Sequence, residues 1–137
     1  MTTQVRVQGD PIPAVNAALV DLLADELVAP RIATHKWPKD WSLADRRPLV
    51  LIADDGGGVD WPVKSAHTIR VTVGADDIAV ARRLARRCLG HILDTLPEGL
   101  DYVPPRGVAL IETQHTATGA DVASGTLTAV IRTEIID

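Results

Sequence analysis

The chain has 137 residues, 46% of them apolar and 23% charged, and these values predict one globular domain spanning residues 1–137. It has no apolar run near the roughly 20 residues that a membrane-spanning helix needs, and its first residues lack the apolar segment of a signal peptide. The net charge of −4 argues against bulk attraction to nucleic acid or to a membrane, and the single cysteine excludes an internal disulfide, which favours synthesis in a cytoplasm.

Apolar periodicity divides the first half of the chain into a helix, an irregular segment and two strands. Residues 10–27 carry apolar side chains at helical spacing, so we predict a first helix, which Pro30 ends. Residues 31–46 show no such period and are predicted to form a long irregular segment. Residues 48–53 are a short apolar run typical of a strand buried on both faces. Residues 66–74 alternate apolar and polar side chains, as a strand with one buried face does.

The second half begins with the longest predicted helix. Residues 75–96 carry an apolar stripe at helical spacing. Residues 107–115 and 125–136 are predicted to be strands, joined by a hairpin loop that includes residues 116–121. The predicted order is therefore α-β-β-α-β-β. Because the strands come in pairs without a helix between them, we predict an α+β fold, a mostly antiparallel β-sheet with two main helices packed on one face.

The same patterns predict which side chains form the core. Val71 and Ile131 occupy apolar positions of their strands, and we expect them to be buried against the helix. Their partners on the apolar stripe of that helix are predicted to be Leu84 and Ile92. The opposite face of the sheet is predicted to carry the alternate positions, Thr72 and Arg132.

No group of residues matches a catalytic or metal-binding motif. The run Asp54-Asp55-Gly56-Gly57-Gly58 lacks both the EF-hand spacing and the lysine of a phosphate-binding loop, so a connecting turn is the simpler interpretation. Cys88 falls on an apolar helix stripe, where cysteine usually acts as a small hydrophobe. The histidines have no metal-ligand spacing and the serines no nucleophile-elbow context. We therefore predict no catalytic residue, no metal and no cofactor. The residues considered are His35, His67, His91, His115, Ser42, Ser65 and Ser124.

Four arginines lie close together on the second predicted helix, and without them the chain would carry a net charge of −8. Like charges one helical turn apart repel by about a few tenths of a kcal/mol per pair. A solvated face is the simplest interpretation. The hypothesis we adopt is that some of these arginines meet carboxylates of a neighbouring copy or partner, with the phosphates of DNA as a weaker option. The four are Arg82, Arg83, Arg86 and Arg87.

The chain contains three tryptophans and no phenylalanine, and all three tryptophans fall in predicted loops. Tryptophan is a preferred residue at the centre of protein interfaces. We therefore add Trp37, Trp41 and Trp61 to the candidate interface and predict that at least one of them becomes buried only on assembly. The alternative is that they cover the ends of the core.

In the order and length of these elements, the chain resembles a known protein family. An amphipathic helix at residues 14–27 precedes a strand pair, a long helix follows, and the chain closes with Thr-Ala-Val-Ile-Arg-Thr-Glu-Ile-Ile at residues 128–136. Over nearly its whole length the chain resembles the tail terminator proteins, also called tail completion proteins, of long-tailed phages. The sequence Gly-Ala-Asp-Asp at residues 74–77, followed by an arginine-rich helix, looks particularly like versions from phages of GC-rich actinobacterial hosts.

The resemblance implies a structural protein without enzymatic activity or cofactor. Such proteins form a homohexameric ring that caps the tail tube, stops its elongation and joins the tail to a head-side connector or stopper protein. DNA passes through the ring without sequence-specific binding. The expected location is the head–tail junction of the virion, after synthesis in the host cytoplasm and without contact to a membrane.

Two other functions stay open at this point. A head–tail connector or stopper subunit of the neck has similar size and composition. A protein of another class, a small enzyme or ligand-binding domain, would place its site at Asp54, Asp55 and a histidine.

Overall fold

A six-stranded sheet with two helices on one face forms the body of the molecule. The computed structural model describes residues 3–106 and 109–137. The helices are α1 (Ile12–Leu23) and α2 (Ile78–Thr95). The strands are β1 (Val5–Val7), β2 (Arg31–Thr34), β3 (Leu49–Asp54), β4 (Val59–Asp60), β5 (Lys64–Ala75), β6 (Ile111–Gln114), β7 (Asp121–Arg132) and β8 (Glu134–Ile136).

The sheet has the strand order β2-β3-β5-β7-β6, with β4 paired to β5. Strands β2 and β3 are parallel, and the other pairs within the described ranges are antiparallel. The predicted α+β class, with two helices and a mostly antiparallel sheet, is therefore confirmed. Strands β1 and β8 form a separate two-stranded ribbon.

Local sequence explains where the helix α2 begins and ends. Asp77 caps α2 by accepting a hydrogen bond from the Ala79 backbone N–H at 2.9 Å. At the other end Leu96 takes a left-handed conformation, with φ of 46°, and Pro97 cannot continue the helix. Helix α1 ends at Leu23, four residues earlier than predicted.

The core lies between the helices and one face of the sheet. Val71, Leu84 and Ile92 are buried in one cluster, and Ile131 packs against it while half-buried. The predicted burial is therefore confirmed for Val71, Leu84 and Ile92, whereas Ile131, predicted to be buried, is half-buried at the edge of the core. The alternate strand positions, Thr72 and Arg132, belong to the opposite face as predicted.

The structure contains strands where the predicted order has none. Residues 31–46, predicted to be irregular, begin with β2, which is too short to show a period and obtains its hydrogen bonds from β3. The predicted strand at residues 107–115 is shorter, since β6 spans Ile111–Gln114, while Gly107 and Val108 lie outside the described residues. The predicted strand at 125–136 is divided at Thr133 into β7 and β8.

Candidate interaction surface

Two of the four candidate arginines share one carboxylate of their own chain. Arg83 and Arg87 bind the same oxygen of Glu26, at 3.0 and 2.8 Å. Arg87 also reaches Asp25 at 3.3 Å. The Glu26 side chain is only 10% exposed. The repulsion between Arg83 and Arg87 is therefore offset within the subunit, and does not by itself require a second copy.

The charges in this network stabilise one another. The hydrogen bond from Arg83, with a second from Arg87, holds the pKa of the Glu26 carboxyl below its ordinary value of 4.5, although burial acts in the opposite direction. The hydrogen bond to Glu26 in turn raises the pKa of the Arg87 guanidinium. Glu26 therefore remains ionised throughout the neutral range.

Replacing Glu26 with glutamine is expected to lower the free energy of unfolding by about 1–2 kcal/mol at pH 7, because the guanidinium groups of Arg83 and Arg87 lose the carboxylate that accepts their hydrogen bonds. The folded-state pKa lies below the unfolded-state value, so the stabilisation is complete above about pH 4.5 and is lost as the pH falls through the folded-state pKa. Urea melts of wild type, Glu26→Gln and the exposed control Asp21→Asn across this range check it. A difference between wild type and Glu26→Gln that persists unchanged in acid would contradict this account.

The remaining two arginines differ from each other. Arg82 bonds to Glu112 on the edge strand β6. Arg86 is exposed and forms no ion pair with any described residue. Both border an open groove next to β6, whose apolar lining includes Leu89 and Leu93. Of the four predicted interface arginines, Arg86 is thus the one without an ion pair among the described residues.

Two of the tryptophans belong to a second small core on the opposite face of the sheet. Trp41 is 2% exposed, and its indole Nε1 donates to the Arg47 carbonyl at 2.9 Å. Trp37 packs edge-on to it, with ring centroids 5.4 Å apart, and stacks on His115 at 4.3 Å. Both rings lie over Gly74, where a side chain would collide with Trp37. Trp41 is therefore covered within one chain and has little surface to offer a partner.

Trp61 is in the opposite situation. It is 56% exposed at the turn between β4 and β5, and its neighbours Val59 and Val63 are exposed as well. We call these three residues the hairpin tip. The backbone of Val63 holds the tip to the sheet by accepting a hydrogen bond from the Thr133 N–H at 3.1 Å. The two valines were missed as candidates, although they flank Trp61 in an alternating apolar pattern in the sequence.

Asp54 and one histidine come together, as the enzyme alternative requires, and a serine joins them. His67 Nδ1 lies 2.7 Å from Asp54 Oδ2, and its Nε2 lies 2.7 Å from Ser65 Oγ. This is the bonding order of a serine–histidine–aspartate triad. The grouping was missed because Ser65 and His67 share a strand at alternate positions, while Asp54 comes from another strand.

The position of this trio favours a structural role. Ser65 is 1% exposed and His67 is buried too, so the hydroxyl is covered from any substrate. Asp54 also accepts a hydrogen bond from the Gly56 N–H at 2.8 Å, which fastens the glycine turn to the sheet. Asp55 points instead to Arg70, at 3.3 Å. The trio therefore ties the predicted turn to β5.

The other candidate chemistry finds no support in the described ranges. Burial raises the pKa of the Cys88 thiol to about 12, so it stays protonated at neutral pH. Across residues 3–106 and 109–137, no three His, Cys, Asp or Glu side chains are grouped as a bound metal would need. Within the described residues, neither α1 nor α2 is long and apolar enough to cross a membrane.

A scan against models of known protein families found no match, and a search of curated proteins found none either.

Proposed function

We propose that the chain is a structural subunit of a phage tail terminator, a hexameric ring that caps the tail tube, stops its elongation and joins the tail to a head-side connector or stopper protein. The ring would lie at the head–tail junction of the virion, after synthesis in the host cytoplasm. The proposal rests on the sequence resemblance, and the structure has the α+β fold class that the order of predicted elements indicated.

The observation that supports this function best is the hairpin tip. An indole that is 56% exposed between two exposed valines is costly to hydrate, and such apolar patches on soluble proteins typically mark contacts with other proteins. The tip lies at the end of β5 away from Trp41, so it can contact a partner without disturbing either core. We assign it to the contact with the tail tube.

The charge of the subunit suits a ring through which DNA passes. With a net charge of −4 and three of the four α2 arginines bound to its own carboxylates, the chain offers DNA little attraction. DNA would therefore slide through without being held by its phosphates. A lining of free arginines would slow it instead.

Trp61 is expected to lose solvent contact on assembly, whereas Trp41 is already covered. Acrylamide quenching of tryptophan fluorescence measures this, since a buried indole is shielded from the quencher. We expect the accessible fraction to fall when the protein joins tail tubes, and Trp61→Ala to remove most of that change. Equal quenching of the free and tube-bound protein would count against a role of the tip.

Binding experiments separate the proposed function from the neck connector or stopper. The purified protein is mixed with tail tubes of the same phage and, separately, with capsids that carry the head-side connector. A terminator binds the tube end in the absence of capsids, whereas a stopper binds the capsid first. Sedimentation with capsids alone, and none with tubes, would favour the neck subunit.

The serine–histidine–aspartate order is the one observation that favours an enzyme, and it has a direct test. A fluorophosphonate probe labels an activated serine covalently. Because Ser65 is buried, we expect no labelling of the folded protein. Labelling that is lost in Ser65→Ala would support a hydrolase and contradict the structural role.

A further inference from the structure

Strands β1 and β8 form a small two-stranded ribbon. It consists of two strands of three residues each, and it is separate from the six-stranded sheet. Two-stranded sheets of this size are marginally stable in water unless something packs on them or extends them. Its side chains Val5, Ile135 and Ile136 are all exposed. In the described part of the chain, each strand of the ribbon has one edge without a strand partner.

The six-stranded sheet has a matching open edge at β6. Among residues 3–106 and 109–137 this strand pairs with β7 on one side only, and all four of its residues are exposed, Ile111 by 65%. An exposed edge strand presents unpaired backbone N–H and C=O groups to any chain that can add alongside it. The opposite edge, β2, is half-buried throughout and is less open to addition.

Charge selects which ribbon strand fits beside β6. The groove next to β6 carries Arg86, which has no ion pair among the described residues, and has an apolar lining that includes Leu89 and Leu93. Strand β8 and the residue after it read Glu-Ile-Ile-Asp, with two acidic side chains around two exposed isoleucines. Strand β1 carries Arg6 instead, so β8 is the complementary strand.

We propose that β8 of one copy adds to the open edge of β6 of the next copy, with Glu134 or Asp137 facing Arg86. The inference rests on the proposed ring and names the contact between its subunits. The contact joins two different surfaces of the chain, which is the head-to-tail geometry that closes rings. It also gives the ribbon a third strand and covers its isoleucines.

Charge reversal with a complementary mixture tests the contact. Arg86→Glu and Glu134→Arg/Asp137→Arg are expected to weaken self-association of the full chain by about tenfold or more each, measured by sedimentation velocity. Mixing the two variants in equal amounts should restore association, because each altered surface meets its complement. Lys39→Glu makes the same charge change at an exposed loop position and should behave as wild type. Association of Arg86→Glu at wild-type strength, or a mixture that stays dissociated, would overturn the proposal.

A cysteine pair examines the same contact without altering charge. Ile111→Cys on β6 and Ile135→Cys on β8, made in separate chains and mixed under mild oxidation, should give a covalent dimer that neither variant gives alone. The native Cys88 is buried and does not interfere. Val20→Cys on the exposed surface of α1 replaces Ile135→Cys as the control. If the control pair cross-links as well as the test pair, the assigned contact is wrong.

The two proposals fail in different ways. Tubes that are still capped by Arg86→Glu, with unchanged association, would remove the β8–β6 contact and leave the terminator function standing. Conversely, a specific cross-link between β6 and β8 in a protein that does not bind tubes would keep the contact and remove the function.

Discussion

Replacing Ile92 with alanine is expected to lower the free energy of unfolding by about 2–5 kcal/mol. Ile92 is fully buried on the inner face of α2, in the cluster that also holds Val71 and Leu84. The truncation removes buried methyl groups and leaves a cavity that a helix packed on a sheet cannot collapse to fill. A denaturant melt at constant pH measures the loss.

The control for this change is Val20→Ala. Val20 is also on a helix, but it is exposed on α1, so its truncation should change stability by no more than about 0.5 kcal/mol. The contrast separates loss of core packing from a general effect of helix substitution. If Ile92→Ala costs as little as the control, the helix α2 does not pack on the sheet as described.

The second large effect is expected at Trp41, and Trp61 provides the matched comparison. Trp41→Ala should lower the free energy of unfolding by about 3–5 kcal/mol, because the ring fills the second core over Gly74 and its N–H bonds to Arg47. Trp61→Ala should cost less than about 1 kcal/mol, since most of that side chain faces water. Paired urea melts give both values.

The two tryptophan variants should also differ in their affinity for tail tubes. Under conditions where both are folded, Trp61→Ala is expected to lose affinity for tail tubes, while Trp41→Ala keeps the hairpin tip intact and binds them. The opposite pattern, a large stability loss for Trp61→Ala with normal tube binding, would show that the hairpin tip is a core element and not a contact surface.

Long periodic segments of this chain could be predicted from sequence, and short or non-local features could not. Residues 66–74 and 75–96 each repeat their apolar pattern several times, so β5 and α2 were placed correctly within about three residues. Strands β1 and β2 have three or four residues each, too few for a period to appear, and the break that separates β8 from β7 was not predicted. Their pairing depends on partners distant in sequence, which a single sequence does not reveal.

The sequence indicated which residue types form the candidate surface, but not which ion pairs they make. The sequence placed the four arginines on one helix, where the structure has them. Their compensation depends on Glu26 and Glu112, which lie far from α2 in sequence and are brought to it by the fold. Likewise, nothing in the sequence around Trp41 distinguishes it from Trp61. Burial decides between them, and burial depends on which loop folds over Gly74.

A subunit that terminates tail tubes, as proposed, must limit the length to which the tubes grow. Purified tail tube protein of the same phage is polymerised alone or with the chain added, and tube lengths are measured by negative-stain electron microscopy. We predict that the wild-type chain halts elongation and produces tubes with a ring at one end, whereas Trp61→Ala leaves tubes as long as those without it. Tubes that grow to the same length with and without the wild-type chain, and carry no ring, would contradict the account.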